Sequence, residues 1–128
     1  MSTIYNACRD GNIAVVKRLL FLLADPSANG NWAIQLASKH GHLEIVKLLL
    51  DDPRVDPSTS DNLAIRCASH NGHTEVVKLL LEDPRVDPSV YYNQAIRNSR
   101  ENGHTEVVDL LTEHMYRLDG PEYNKNIL

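Results

Sequence analysis

One segment of sixteen residues occurs twice in this chain, and its repetition limits the folds that the chain can adopt. Residues 43–58 and 74–89 differ at only three of sixteen positions, each copy follows a Gly-His pair, and the copies begin 31 residues apart. Self-similarity with a period of about 20–50 residues is typical of proteins built from stacked units. Each unit buries an apolar face against its neighbours. The sequence therefore predicts an all-α stack with one unit per period.

Each full unit has the pattern of two short helices and a loop. We expect the first helix to begin at an asparagine, which accepts hydrogen bonds from free backbone N–H groups at a helix start. A glycine in the left-handed conformation then ends that helix. The second helix runs from about 42 to 51 and stops before a proline, since the residue before proline avoids helical geometry. The repeated boundary residues are Asn31, Asn62, Asn93, Gly41, Gly72 and Gly103.

The first and last units depart from the pattern. Residues 2–24 form a degenerate first copy, in which Phe-Leu-Leu-Ala at 21–24 replaces the Asp-Pro-Arg-Val segment. The fourth unit replaces the third leucine with Thr112, and we interpret 113–116 as a polar turn that caps the stack. The predicted domain covers 1–118, with units at about 2–30, 31–61, 62–92 and 93–118, and 119–128 form a tail.

The composition argues against several functional classes. A formal net charge of −4 and a pI near 5.8 give no reason to expect a nucleic-acid or membrane partner. No run approaches the roughly 18 apolar residues that a membrane span needs, and the N-terminus lacks the pattern of a signal peptide. Two cysteines in non-equivalent positions favour a reducing compartment. We therefore expect an intracellular, cytoplasmic protein that is a monomer.

In these residues the chain resembles the ankyrin repeat. The shared pattern is a helix, a Gly-His pair, a Glu-hydrophobic-Val-Lys-Leu-Leu-Leu helix and a turn, and it covers about 2–116. Two features depart from the family pattern: Ala-Ile replaces the usual Thr-Pro-Leu-His opening, and Asp-Pro-Arg-Val-Asp-Pro-Ser replaces the usual turn. The resemblance implies a solenoid of about four helix-turn-helix units with short loops. It also implies binding of another protein on a concave face lined by the first helices, and no catalysis.

The histidine that follows each glycine recurs as His42, His73 and His104. The resemblance implies a structural role, in which this residue caps and bridges the start of the second helix. A zinc site at His40 and His42, or at His70 and His73, lacks supporting ligands at suitable spacing. The chain also has no phosphate-binding loop, nucleophile elbow or paired carboxylates. We expect no enzyme activity, no cofactor and no metal.

Positions that change between units are free for recognition, whereas identical positions maintain the architecture. The candidate partner-binding residues are Trp32, Lys39, Leu63, Arg66, His70, Tyr91, Tyr92, Arg97 and Arg100. The aromatic residues and arginines are of the types that dominate binding hot spots, although Trp32 and the tyrosines could instead pack against adjacent units. Arg66 and Arg97 either reach loop carboxylates such as Asp56 and Asp87 or extend a basic stripe that attracts an acidic partner. The alternative function is a structural spacer, or a fragment of a longer array, without its own partner.

Overall fold

The computed structural model describes residues 3–119, which form eight helices and, within that range, no strand. The helices are α1 (Ile4–Asp10), α2 (Ile13–Phe21), α3 (Ala28–Lys39), α4 (Leu43–Leu50), α5 (Thr59–His70), α6 (Thr74–Leu81), α7 (Val90–Glu101) and α8 (Thr105–Asp119). The all-α prediction is confirmed. Apart from its first residue, the predicted tail at 119–128 lies outside the described residues.

The eight helices form two layers. Helices α1, α3, α5 and α7 pack successively against one another and form the first-helix layer. Helices α2, α4, α6 and α8 form the second-helix layer, and each packs on the first helix of its own unit. The largest fully buried side chains occupy the same positions in successive units and include Ile34, Ile65, Val46, Val77, Leu49, Leu80 and Leu111. A helix-turn-helix repeat with one continuous core is the result.

Glycine ends the first helix of every unit, as predicted. Gly41 adopts φ 75°, and the amide of His42 donates to the carbonyl of Ala37, so the chain reverses within two residues. The imidazole Nε2 then donates to a first-helix carbonyl of the preceding unit. These bonds join His42 to Arg9, His73 to Lys39 and His104 to His70, at 2.8, 2.9 and 3.0 Å. The histidines are structural residues, as predicted, but their side chains bond to the preceding unit, and neither His42 nor His73 caps its helix through its side chain.

The Asp-Pro-Arg-Val turn joins the second helix to the next unit. The Oδ1 atom of Asp52 accepts the amide of Arg54 at 3.0 Å, and the guanidinium returns to the same carboxylate at 2.8 Å. These bonds orient the Val55 side chain towards the core, where it is 1% exposed. The turn at 83–86 repeats the arrangement. The arginines of these turns are therefore structural residues.

The fourth unit differs from its prediction. Residues 113–116 do not form a polar turn, because α8 continues through them to Asp119. In the third unit, the equivalent of Met115 is Pro84, which follows the end of α6. Methionine is a good helix former, whereas proline lacks the amide donor and disfavours helical geometry in the residue before it. Loss of this one proline is enough to explain the longer last helix.

Both cysteines are free thiols. Burial raises the pKa of Cys8 to about 12, and burial also raises the pKa of Cys67. Such thiols stay protonated and unreactive at neutral pH, which suits their predicted role as small buried residues. Between residues 3 and 119, no helix is both long and apolar enough to cross a membrane.

Candidate functional site

A run of three left-handed residues precedes the first helix of units two to four. Ser60, Asp61 and Asn62 have φ between 52° and 60°, and Tyr91, Tyr92 and Asn93 have φ between 53° and 62°. The run at 29–31 has the same form. L-amino acids in this conformation cost roughly 1–2 kcal/mol each. Contacts from outside the run must therefore hold it in place.

One side chain of the following helix holds each left-handed run. Arg66 donates from Nε to the carbonyl of Asp61 and from Nη2 to that of Ser60, both at 2.9 Å. Arg97 makes the equivalent bonds to the carbonyls of Tyr92 and Tyr91, at 3.1 and 2.8 Å. In the second unit Gln35 donates to the carbonyl of Gly30. The arginines thus have a structural role, which was one of the two predictions. Their acceptors are backbone carbonyls, however, and not the carboxylates of Asp56 and Asp87.

The asparagine that closes each run bonds to the turn that follows the second helix of its unit. The Oδ1 atom of Asn31 accepts the amide of Asp56 at 2.9 Å, and Asn62 accepts the amide of Asp87 at 2.8 Å. These asparagines lie at the predicted start of the right-handed helix, yet they satisfy a donor of the following turn and not one of their own helix. In the last unit, the Oδ1 atom of Asn93 is buried without a partner among the described residues.

An aromatic pair occupies the first two units. The Trp32 ring lies 4.7 Å from that of Tyr5, with 36° between the ring planes, and Asn29 donates to the Tyr5 hydroxyl at 2.7 Å. Trp32 nevertheless remains 44% exposed. The two interpretations of Trp32 are therefore compatible, because one side of its ring packs on the adjacent unit while the other side is available for contact.

A second aromatic cluster joins the second and third units. The guanidinium of Arg66 lies 4.9 Å from the Tyr91 ring centre, and the Tyr91 hydroxyl donates to Oδ2 of Asp61 at 2.6 Å. The Asp61 carboxylate raises the pKa of Tyr91, because it holds the phenolic proton. Tyr91 remains half-exposed, and Tyr92 projects into solvent with 92% exposure. Asp61 could not be identified from the sequence as the partner of Tyr91, because no local spacing pattern indicates which residues of different units are in contact.

The other candidate residues lie around these clusters. Leu63 is half-buried, whereas Lys39, His70 and Arg100 are exposed. Arg100 occupies the position of Ser38 and Ser69, both of which the following unit buries completely. The structure thus brings Arg66, Tyr91, Tyr92 and Arg97 together, with Trp32 on Tyr5 two units away. Arg100 lies apart, at the open end of the stack. Over residues 3–119, no three His, Cys, Asp or Glu side chains are grouped as metal ligands.

Comparisons with known proteins agree with this architecture. The family model for ankyrin repeats (3 copies) matches residues 4–92, which is more than half of the chain. A chain in the crystal structure of the yeast ribosomal protein Rps3 in complex with its chaperone Yar1 is similar in fold, with a TM-score of 0.65. That chain is 25% identical in sequence, and the match covers 83% of this chain and 86% of the other. The comparison with curated protein sequences finds no match. On the repeated helix pairs and the family match, the chain belongs to the ankyrin-repeat family.

Proposed function

We propose that the chain is a non-enzymatic adaptor or scaffold that binds another protein. The binding surface is the concave side of the first-helix layer together with the left-handed runs in the first turns of α5 and α7. It carries the nine candidate residues, with the aromatic residues as anchors. A cytoplasmic location is part of this proposal, since the free thiols suit a reducing compartment.

The observation that carries the proposal is the exposure of aromatic side chains on runs whose backbone is held rigidly. Tyr92 lies in a strained run that Arg97 clamps, yet its side chain is 92% exposed. The equivalent residue of the previous unit is Asp61, so the fold does not require an aromatic residue here. Aromatic side chains supply large contact areas, and a preorganised backbone reduces the entropy lost on binding. This surface is therefore better suited to binding a partner than to stabilising the fold.

The structural comparison supports the class of partner. The similar yeast chain comes from a complex between a ribosomal protein and its chaperone, so this architecture accommodates a protein partner there. In the present chain the first-helix layer carries exposed Lys39 and Arg100, which form no ion pair within residues 3–119, while Arg66 and Arg97 are engaged with carbonyls. Acidic groups on a partner would be attracted chiefly by the first two residues.

The test compares a variant of the binding surface with a matched variant of the other layer. Trp32→Ala with Tyr92→Ala removes the two anchors without touching the hydroxyl of Tyr91. Glu44→Ala with Glu75→Ala removes two exposed side chains from the second-helix layer. Proteins retained from a host lysate are identified by mass spectrometry, and the affinity is measured with the purified partner. We expect the first variant to bind at least about tenfold more weakly and the control to bind normally.

Two results would count against the proposal. A partner bound equally by the wild type and by the Trp32/Tyr92 variant, but lost by the Glu44/Glu75 control, would move the site to the second-helix layer. Failure of the folded wild-type chain to retain any protein would favour the spacer function. Circular dichroism of both variants establishes beforehand that they are folded.

A further inference from the structure

Equivalent positions of α1, α3, α5 and α7 form a row of polar side chains along the first-helix layer. The row consists of Tyr5, Gln35, Arg66 and Arg97. The next helix of the layer covers each of the first three members. On α3, Asn29 donates to the Tyr5 hydroxyl at 2.7 Å and the Trp32 ring packs on that of Tyr5. Gln35 donates to the hydroxyl oxygen of Thr59 on α5 at 3.3 Å and is only 7% exposed.

The third member of the row shows what an arginine binds at this position. The guanidinium of Arg66 lies 4.9 Å from the centre of the Tyr91 ring, which packs over it as a cation–π partner. Its Nη1 donates to Oε1 of Gln94 at 3.2 Å. Both partners come from α7, the next helix of the layer. Beyond the two backbone carbonyls that it holds, this arginine therefore takes one aromatic face and one oxygen acceptor.

Arg97 is held in the same way but is not covered. Its Nε and Nη2 donate to the carbonyls of Tyr92 and Tyr91, as those of Arg66 do to the preceding run, so the guanidinium is fixed in orientation. Helix α7 is the last of its layer within residues 3–119. In that range no ring lies over the Arg97 guanidinium and no acceptor bonds to Nη1, and the side chain is exposed where that of Arg66 is half-buried. A fixed cation with an open face and a free donor is a preorganised site for a partner.

We propose that the partner protein supplies the missing contacts, with an aromatic side chain stacked on Arg97 and a carboxylate that accepts from its Nη1. This inference rests on the proposed function and names the group that the binding surface recognises. A carboxylate takes the place of the Gln94 amide because Arg97 forms no ion pair within residues 3–119, and a bond between two charged groups is stronger than one to an amide. The partner segment is thus a short peptide in which Phe, Trp or Tyr lies as close to Asp or Glu in the sequence as Tyr91 lies to Gln94.

The residue beside the site selects the kind of ring. The Tyr91 ring on Arg66 donates its hydroxyl to the carboxylate of Asp61 at 2.6 Å. The equivalent of Asp61 next to Arg97 is Tyr92, which is 92% exposed and offers an aromatic ring in place of a carboxylate. A phenol hydroxyl therefore gains no charged acceptor on Arg97, whereas a second ring contact is available. Phe and Trp should bind there at least as well as Tyr.

The first test selects peptides from a phage-displayed library of random sequence on the immobilised full chain. We expect the retained peptides to share an aromatic residue close to Asp or Glu, with Phe and Trp at least as frequent as Tyr. The affinity of a synthetic peptide of the retained type is then measured by fluorescence anisotropy.

The second test compares two matched variants with that peptide. Arg97→Gln removes the open guanidinium, and Arg66→Gln removes the one that Tyr91 already covers. Glutamine can hold a left-handed run, since Gln35 donates to the carbonyl of Gly30 at 3.0 Å. We expect Arg97→Gln to bind the peptide about tenfold more weakly and Arg66→Gln to bind it nearly as the wild type does. Circular dichroism and thermal unfolding establish that both variants are folded.

The third test changes the peptide and leaves the wild-type chain intact, so it does not depend on the stability of a variant. Replacing the aromatic residue of the peptide by Leu, or its Asp or Glu by the amide, should each weaken binding to the wild type. The same replacements should have little effect on binding to Arg97→Gln, because the group that they contact is gone. Independent effects of the protein and peptide changes would place the peptide elsewhere.

Several results would overturn the inference. Retained peptides that lack the aromatic and acidic pair would do so, as would an equal loss of affinity in Arg66→Gln and Arg97→Gln, or no retained peptide at all. Peptides that bind through Trp32 and Tyr92 without Arg97 would remove this inference and leave the proposed function standing. A Tyr123→Ala variant of the full chain that retains such peptides when the wild type retains none would assign the place on Arg97 to the chain's own C-terminal segment.

Discussion

The interior units and the last unit of this stack have the same glycine and asparagine at equivalent positions, but these residues have different neighbours. In the interior, Gly41 lies under the ring of His73, and Asn62 accepts a bond from the next turn. In the last unit, no atom of residues 3–119 lies within 4 Å of the position that a Cβ of Gly103 would occupy, and none bonds to the side-chain oxygen of Asn93. The same residue type therefore makes contacts with a neighbouring unit in the interior of the stack and lacks them in the last unit. Matched substitutions in the two places measure how much of each residue's contribution comes from the neighbouring unit.

The largest effect is expected from truncating the core of an interior unit. Leu49→Ala should lower the free energy of unfolding by about 2–5 kcal/mol, because Leu49 is fully buried between units. The equivalent residue of the first unit is Leu19, which is only partly buried, so Leu19→Ala should cost about half as much. Chemical denaturation of both variants measures the difference. Equal losses would show that the first unit is as tightly packed as the second.

The glycines give the next contrast. Gly41→Ala forces a left-handed alanine and displaces the His73 ring, whose atoms would lie 2.5 Å from the new Cβ, so we expect a loss of about 2–3 kcal/mol. Gly103→Ala incurs the backbone strain alone, about 1–2 kcal/mol. Thermal and urea unfolding of the two variants test this ranking. A greater loss for Gly103→Ala would mean that the histidine contact contributes nothing.

The structure could be predicted from the sequence at positions where one residue restricts its own backbone conformation. Glycine at position 41 and proline at 53 have few conformations open to them, so the ends of the helices could be predicted from these residues. The left-handed runs could not, since Ser-Asp-Asn and Tyr-Tyr-Asn share only the final asparagine, and serine and tyrosine disfavour that geometry. Their stability comes from Arg66 and Arg97, five and six residues later, and from the next unit.

The candidate site was predictable to a similar extent. Variation between units identified Trp32, Tyr91 and Tyr92 as exposed positions, and exposure could be checked residue by residue. The pairs that shape the site join different units, as in the bond from Tyr91 to Asp61, and no local pattern encodes them. The sequence showed that Phe-Leu-Leu-Ala at 21–24 replaces the Asp-Pro-Arg-Val segment, but the exposure of Phe21 could be seen only in the structure.

The asparagines test the same contrast through a hydrogen bond. Asn62→Ala removes the acceptor of a part-buried hydrogen bond from the amide of Asp87 and should cost about 0.5–1.5 kcal/mol beyond the backbone strain. Asn93→Ala removes an oxygen that has no partner among the described residues, so only the strain of a left-handed alanine remains. The strain is common to both variants and cancels in the comparison. Equal unfolding free energies would indicate that the bond from Asp87 adds no stability.

The smallest expected effect is a decrease in the free energy of unfolding at acidic pH. Hydrogen bonds from the hydroxyl and amide of Ser58 lower the pKa of Asp56, and the equivalent bonds from Ser89 lower that of Asp87. A carboxyl group with a lowered pKa in the folded state stabilises the fold above its unfolded pKa of about 3.9, and this stability is lost as the pH falls through the folded pKa. The free energy of unfolding should therefore decrease below about pH 4.

Ser58→Ala separates the contribution of the interior turn from that of the last one. Without the serine hydroxyl the pKa of Asp56 moves part of the way back towards its ordinary value, while the backbone amide of residue 58 still donates. The variant should therefore lose less stability than the wild type on acidification. Asp56 also faces Arg85 of the next turn, whereas the cation beside Asp87 is His114. Because Arg85 continues to favour the charged form of Asp56, Ser58→Ala should reduce the acid dependence less than Ser89→Ala does. Urea unfolding between about pH 2 and 5 measures both slopes, and identical slopes would show that the neighbouring turn has no electrostatic influence.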